Sequence, residues 1–170
     1  MFKFKWKCPT CGVRHDNLPT CFGMEAPWRA FVPDEEFERR VELTKSLCVV
    51  DGEHFFIRGH IDIPIIDHSE SLIFSVWSSL SEKSFRHVNE RWNAMDRLND
   101  SLYFGWLCSP ISVYANALEL PLSVQTREVG LVPLFRIRDC NHPLAIDQEG
   151  GISKKRWHEI AMKLMEELGE

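Results

Sequence analysis

Leu47-Cys48-Val49-Val50-Asp51-Gly52-Glu53-His54-Phe55-Phe56-Ile57-Arg58-Gly59-His60-Ile61-Asp62-Ile63 reads as two strands joined by a turn. An Asp-Gly pair between apolar runs signals a tight hairpin, because both turn positions need positive φ. The second strand sorts with period two: Phe55, Ile57, Ile61 and Ile63 point one way, and His54, Arg58, His60 and Asp62 the other. Such one-sided alternation predicts an antiparallel sheet with a buried and a wet face. Working outward, residues 72–80 predict another strand, with Leu72, Phe74, Val76 and Leu80 sharing a face. Residues 102–108, 122–128 and 131–138 predict three more. Pro33 followed by Asp34, Glu35 and Glu36 starts a helix that Phe37, Val41 and Thr44 carry to about residue 46. Ser81 reads as an N-cap, with Leu80 and Phe85 placed to staple, before helical spacing through Val88, Trp92 and Met95. Ser153 caps a last helix whose stripe is Trp157, Ile160, Ala161, Leu164, Met165 and Leu168. Residues 17–33, with Pro19, Gly23, Pro27 and Pro33, read as an ordered loop. The expectation is an α+β fold, a mainly antiparallel sheet with helices packed on it and an N-terminal zinc-knuckle-like element.

The chain has 170 residues, so one globular domain over 1–170 is expected, with 1–23 the knuckle-like element. Chains of this size bury about 70% of their unfolded surface and need no covalent staples. Net charge is −5, which argues against a nucleic-acid partner, because phosphate binding needs a basic face. No apolar run approaches the length of a membrane span, and Met1 to Lys7 lack the apolar stretch of a secretory signal. A cytoplasmic location is expected, where the six cysteines are thiols or metal ligands.

Phe2, Phe4 and Trp6 alternate with Lys3, Lys5 and Lys7, a half-buried strand that leads into Cys8-Pro9-Thr10-Cys11-Gly12 and then His15. Two thiolates two residues apart clamp one metal, and the spacing predicts structural zinc. Structural zinc takes four ligands, and this chain has no second Cys-x-x-Cys. His15 and Cys21 are the next candidates. Cys140 and His142 form a distant alternative pair.

The polar face His54, Arg58, His60 and Asp62 could hold an anion or move a proton. It is equally what a wet sheet face looks like. His54 and His60 lie about 20 Å apart on an extended strand and cannot act on one atom. Trp77 opposes Phe74 and Val76, and Tyr103 opposes Phe104 and Trp106. If helices cover one face only, Trp77 and Tyr103 join His54, Arg58 and His60 as an aromatic recognition surface. If later segments cover that face, they are core. Signatures of serine hydrolases, phosphate loops, dinucleotide folds and zinc proteases do not occur.

Cys8-x-x-Cys11-Gly12-x-x-His15, Leu18-Pro19, Phe22-Gly23, Asp51-Gly52-Glu53-His54-Phe55-Phe56-Ile57-Arg58-Gly59, Trp77-Ser78-Ser79-Leu80-Ser81, Tyr103-Phe104-Gly105-Trp106-Leu107 and His142-Pro143-Leu144-Ala145 with Gln148 follow one another along the chain. In this order they resemble the bacterial family domain of unknown function 2199. The resemblance implies a bacterial cytosolic protein and brings no activity with it. The functional expectation from the residues is a protein-binding module with a structural zinc knuckle and an unknown protein partner. The alternative is a metal- or histidine-dependent enzyme. A nucleic-acid binder using Lys3, Lys5, Lys7 and Arg14 is a distant third.

Overall fold

The computed structural model describes residues 18–169. Before them it describes only the backbone of β1 (Trp6–Lys7) and β2 (Arg14–His15), paired antiparallel with Trp6 opposite His15. The candidate ligands Cys8 and Cys11 and the side chain of His15 lie outside the described residues. The remaining elements in order are β3 (Cys21–Gly23), α1 (Phe37–Arg40), β4 (Val41–Leu43), β5 (Leu47–Val50), β6 (His54–Pro64), β7 (Ser71–Leu80), α2 (Glu82–Glu90), β8 (Tyr103–Trp106), β9 (Pro121–Gln125), β10 (Leu134–Ile137), α3 (Pro143–Gly150) and α4 (Lys154–Glu167).

The Asp51-Gly52 turn forms as its sequence requires. Both residues take positive φ (55° and 66°), and Glu53 N donates to Val50 O at 3.0 Å. The long pair β6–β7 runs antiparallel from Phe55 opposite Leu80 to Pro64 opposite Ser71. Each long strand divides its free edge between two short ones. On β6, residues 54–57 take β5 and His60 takes β10. On β7, residues 73–75 take β3, and Ser78 bridges to Leu107 just past β8, where Cys108 N donates to Trp77 O at 2.8 Å. The meander β8–β9–β10 thus returns from the edge of β6 to that of β7 and curls the sheet. The α+β class holds, but the sheet is mixed: β3 against β7 and β10 against β6 are parallel. Parallel neighbours need long crossovers, and hairpin signals close in sequence carry no trace of them.

The inner face holds the main core, with Ile57, Ile61, Ile63, Leu72, Phe74, Leu122 and Phe135 fully buried. Two glycines allow the curl. A Cβ on Gly59 would lie 2.4 Å from the Phe135 ring, and one on Gly105 would lie 2.3 Å from Ser79 O. At Gly59 any other residue would have to displace the buried Phe135 ring, and at Gly105 the backbone itself.

The outer face is not uniformly wet. Residues 26–50 fold across its β5 end and make a second core from Trp28, Val32, Val41, Cys48, Val50, Phe56 and Trp77. This cover also explains why the helix expected from 34 to 46 stops early. One 3-10 turn (Asp34–Glu36) and the single turn of α1 give way to β4, because Val41 is worth more buried opposite Val50 than on a solvated helix. Arg40 fixes the break with two bonds of 2.7 Å to the Asp51 carboxylate.

Ser81 and Ser153 cap α2 and α4 as expected, accepting from Ser84 N (3.1 Å) and Arg156 N (3.0 Å). The α4 stripe is buried through Met165, while Leu168 is exposed. Helix α3 was not expected, although Pro143 at its first position after a capping His142 is a start signal. Its buried Gln148 completes the edge of β10, donating to Phe135 O (2.6 Å) and accepting from Ile137 N (3.0 Å).

Candidate functional site

The expected binding surface does not form as one patch. Trp77 is 3% exposed, and its indole Nε1 donates to Met24 O at 3.1 Å, so it belongs to the second core. Tyr103 sits laterally beside Val124 and Phe135 on the core side, half-buried against α2 with its hydroxyl 2.5 Å from His87 Nδ1. Period two was legible on β8, but its sign was not. Phe104 and Trp106 face out where Tyr103 was expected to.

Arg58 and His60 do share the outer face. Arg58 reaches Ser75 Oγ at 3.5 Å, and its buried Nε has no hydrogen-bond partner among the described residues. His60 Nδ1 is 3.4 Å from an Arg127 guanidinium nitrogen. Burial, reinforced by Arg127, lowers the His60 pKa, so the ring favours its neutral form. Cys21 lies laterally beside Ile73, which lies beside Asp62, so the thiol and this carboxylate share the same outer face two strands apart. Desolvation raises the Cys21 pKa, with the Arg58 charge opposing. Among the described residues no three His, Cys, Asp or Glu side chains gather where they could hold a metal. Both His142 nitrogens are engaged, Nδ1 accepting from Leu144 N at 3.1 Å and Nε2 lying 2.9 Å from Ala115 O.

His54 sits elsewhere, at the opposite end of β6. There an open groove of about 510 Å³ runs between the β5–β6 turn and β8. Its walls include Phe31, His54, Phe55, Trp106 and Cys108, with Glu53 and Glu119 at the rim. Phe31 stacks on His54 at 4.5 Å between centroids. Phe104 meets Trp106 edge-on at 5.0 Å. Phe31 (41%), Phe104 (41%) and Trp106 (49%) are the exposed large aromatics among the described residues; Phe31 and Trp106 line the groove, and Phe104 stands beside Trp106. Cys108 donates to Trp106 O at 3.3 Å, and burial pushes its thiol up to about 11. It stays protonated at neutral pH as part of the groove wall.

The fold and this groove define a mixed-sheet α+β domain with an aromatic surface cleft. The chain belongs to the family described as an uncharacterised protein conserved in bacteria, domain of unknown function 2199, whose family model matches residues 7–152. No curated protein and no solved structure matches it. No helix among the described residues is long and apolar enough to cross a membrane.

Proposed function

We propose that this protein is a cytosolic binding module whose contact surface for a protein partner is the groove around His54. The observation that carries this reading is that exposed Phe31 and Trp106 line one groove, with Phe104 packed beside Trp106. Exposed aromatics scattered singly need no explanation, but a cluster around a cleft has the anatomy of an interaction hot spot. The polar rim of Glu53 and Glu119 adds to that anatomy. A Phe31→Ser/Trp106→Ser double variant is expected to keep the melting temperature within a few degrees, because both side chains are exposed and belong to neither buried core. It should retain less than about a tenth of the partner that the parent chain captures from its own host. A Met162→Ser control, on exposed α4 surface, should capture normally. Equal capture by all three proteins would remove the groove from consideration.

The N-terminal cysteines belong to the same reading as a structural zinc site, with Cys8 and Cys11 as ligands and His15 and Cys21 as the candidates to complete it. Their sequence spacing supports this. Elemental analysis of native protein should find one zinc per chain, lost in Cys8→Ser/Cys11→Ser. Metal-free native protein whose stability is indifferent to chelator would contradict it.

A further inference from the structure

A second cleft, of about 420 Å³, opens on the outer face beneath the 24–45 segment. It is separate from the groove around His54, and no residue lines both. Trp28, Trp77, Phe37 and Leu43 supply apolar walls. Arg58 and Lys45 supply positive charge. The other charged lining groups, Glu25 and Arg29, neutralise each other in an ion pair of 2.5 Å. Among the described residues the lining cations Lys45 and Arg58 make no ion pair, and the Asp62 carboxylate further along the same face of β6 does not line the cleft, on a protein of net charge −5.

Arg58 is the unusual member. A half-buried guanidinium normally pairs with a carboxylate, because its desolvation is otherwise uncompensated. Among the described residues Arg58 has no salt bridge, only the long contact to Ser75 Oγ. Its Nε is buried without a partner. Arg40 and Arg91, by contrast, are each held by two carboxylates. Five N–H donors in a planar fork match a two-oxygen anion. The apolar lining of Phe37 and Leu43 beside the indole edges suits a flat apolar body attached to it.

We propose that this cleft binds a small oxyanion, a carboxylate or phosphate, carried on a flat apolar body. Arg58 grips the anion, Lys45 adds charge at the mouth, and the body lies on the apolar lining of Phe37 and Leu43, beside the edge of Trp77. The test is calorimetric titration of the full chain with benzoate, phenyl phosphate and neutral benzamide, following the Trp77 indole N–H by NMR. At least one anion should bind about tenfold or more tightly than benzamide and shift the Trp77 signal, since charge-assisted bidentate bonds are worth that much. The tighter of the two anions identifies the source. Arg58→Gln should weaken that anion about tenfold or more. Lys45→Met, an exposed change that keeps the fold, should weaken it about threefold. If Arg58→Gln does not fold, Lys45→Met decides. The proposal is overturned if benzamide binds as well as the anions, if the folded variants bind like the parent, or if no anion shifts Trp77 at about 10 mM, above any meaningful Kd. Phe31→Ser/Trp106→Ser should leave anion binding unchanged, so this site and the partner groove fail or stand separately.

Discussion

Arg97→Met is expected to cost about 3–5 kcal/mol of stability, as much as any single change in the molecule. Arg97 is 4% exposed and, among the described residues, bonds backbone carbonyls and no carboxylate. Its guanidinium instead donates to Arg127 O (2.8 Å), Trp92 O (2.8 Å), Glu128 O (2.8 Å) and Leu131 O (2.9 Å). It also lies 5.2 Å from the Trp92 ring centroid. One side chain thereby satisfies the carbonyls of the turn that reverses the chain between β9 and β10. Methionine fills much of the volume but leaves these acceptors dry, and each buried unpaired acceptor costs about 1–3 kcal/mol. Urea unfolding followed by tryptophan fluorescence measures the loss. Hydrogen exchange across 126–133 should accelerate with it. A loss below about 1 kcal/mol would show that water replaces the guanidinium at these carbonyls.

Trp157→Ala should cost about 3–5 kcal/mol as well, by a different route. Trp157 is 4% exposed on the buried stripe of α4, and its indole Nε1 donates to Pro19 O at 2.9 Å. Truncation opens a large cavity and frees the start of the described chain from the terminal helix. Trp157→Phe, which keeps most of the burial and loses the hydrogen bond, should cost only about 1–2 kcal/mol. The gap between the two variants separates packing from tethering. If both cost the same, the hydrogen bond to Pro19 dominates.

Trp157 was readable because the helical period is long and the capping serine is explicit. Arg97 was not, because nothing local distinguishes an arginine that bonds distant carbonyls from one in solvent. The same division runs through the fold. The 47–63 hairpin, β7 and α4 follow from period and turn chemistry alone. The parallel strands β3 and β10 do not, since their partners lie far along the chain. The spacing of Val41 from Phe37 predicts a helix, and only the Arg40–Asp51 ion pair and the partner Val50 reveal why it is a strand. In the site, His54 and Arg58 were legible as outward-facing residues of β6, but the 26–50 cover that buries Trp77 and separates the two was not. Tyr103-Phe104-Gly105-Trp106 has aromatics on both faces, so alternation could not say which face is core. Phe31 lies in a proline-flanked loop with no period at all.

The most direct measurement of the central claim places a photoreactive benzoylphenylalanine at position 31, where an aromatic already stands, in cells of the host. Irradiation should trap one dominant protein, with the cross-link lost when Trp106→Ser is added. The same probe at position 162 should trap little. Cross-linking of equal yield and pattern at both positions, or a single product at 31 that survives Trp106→Ser, would contradict the groove as the contact surface.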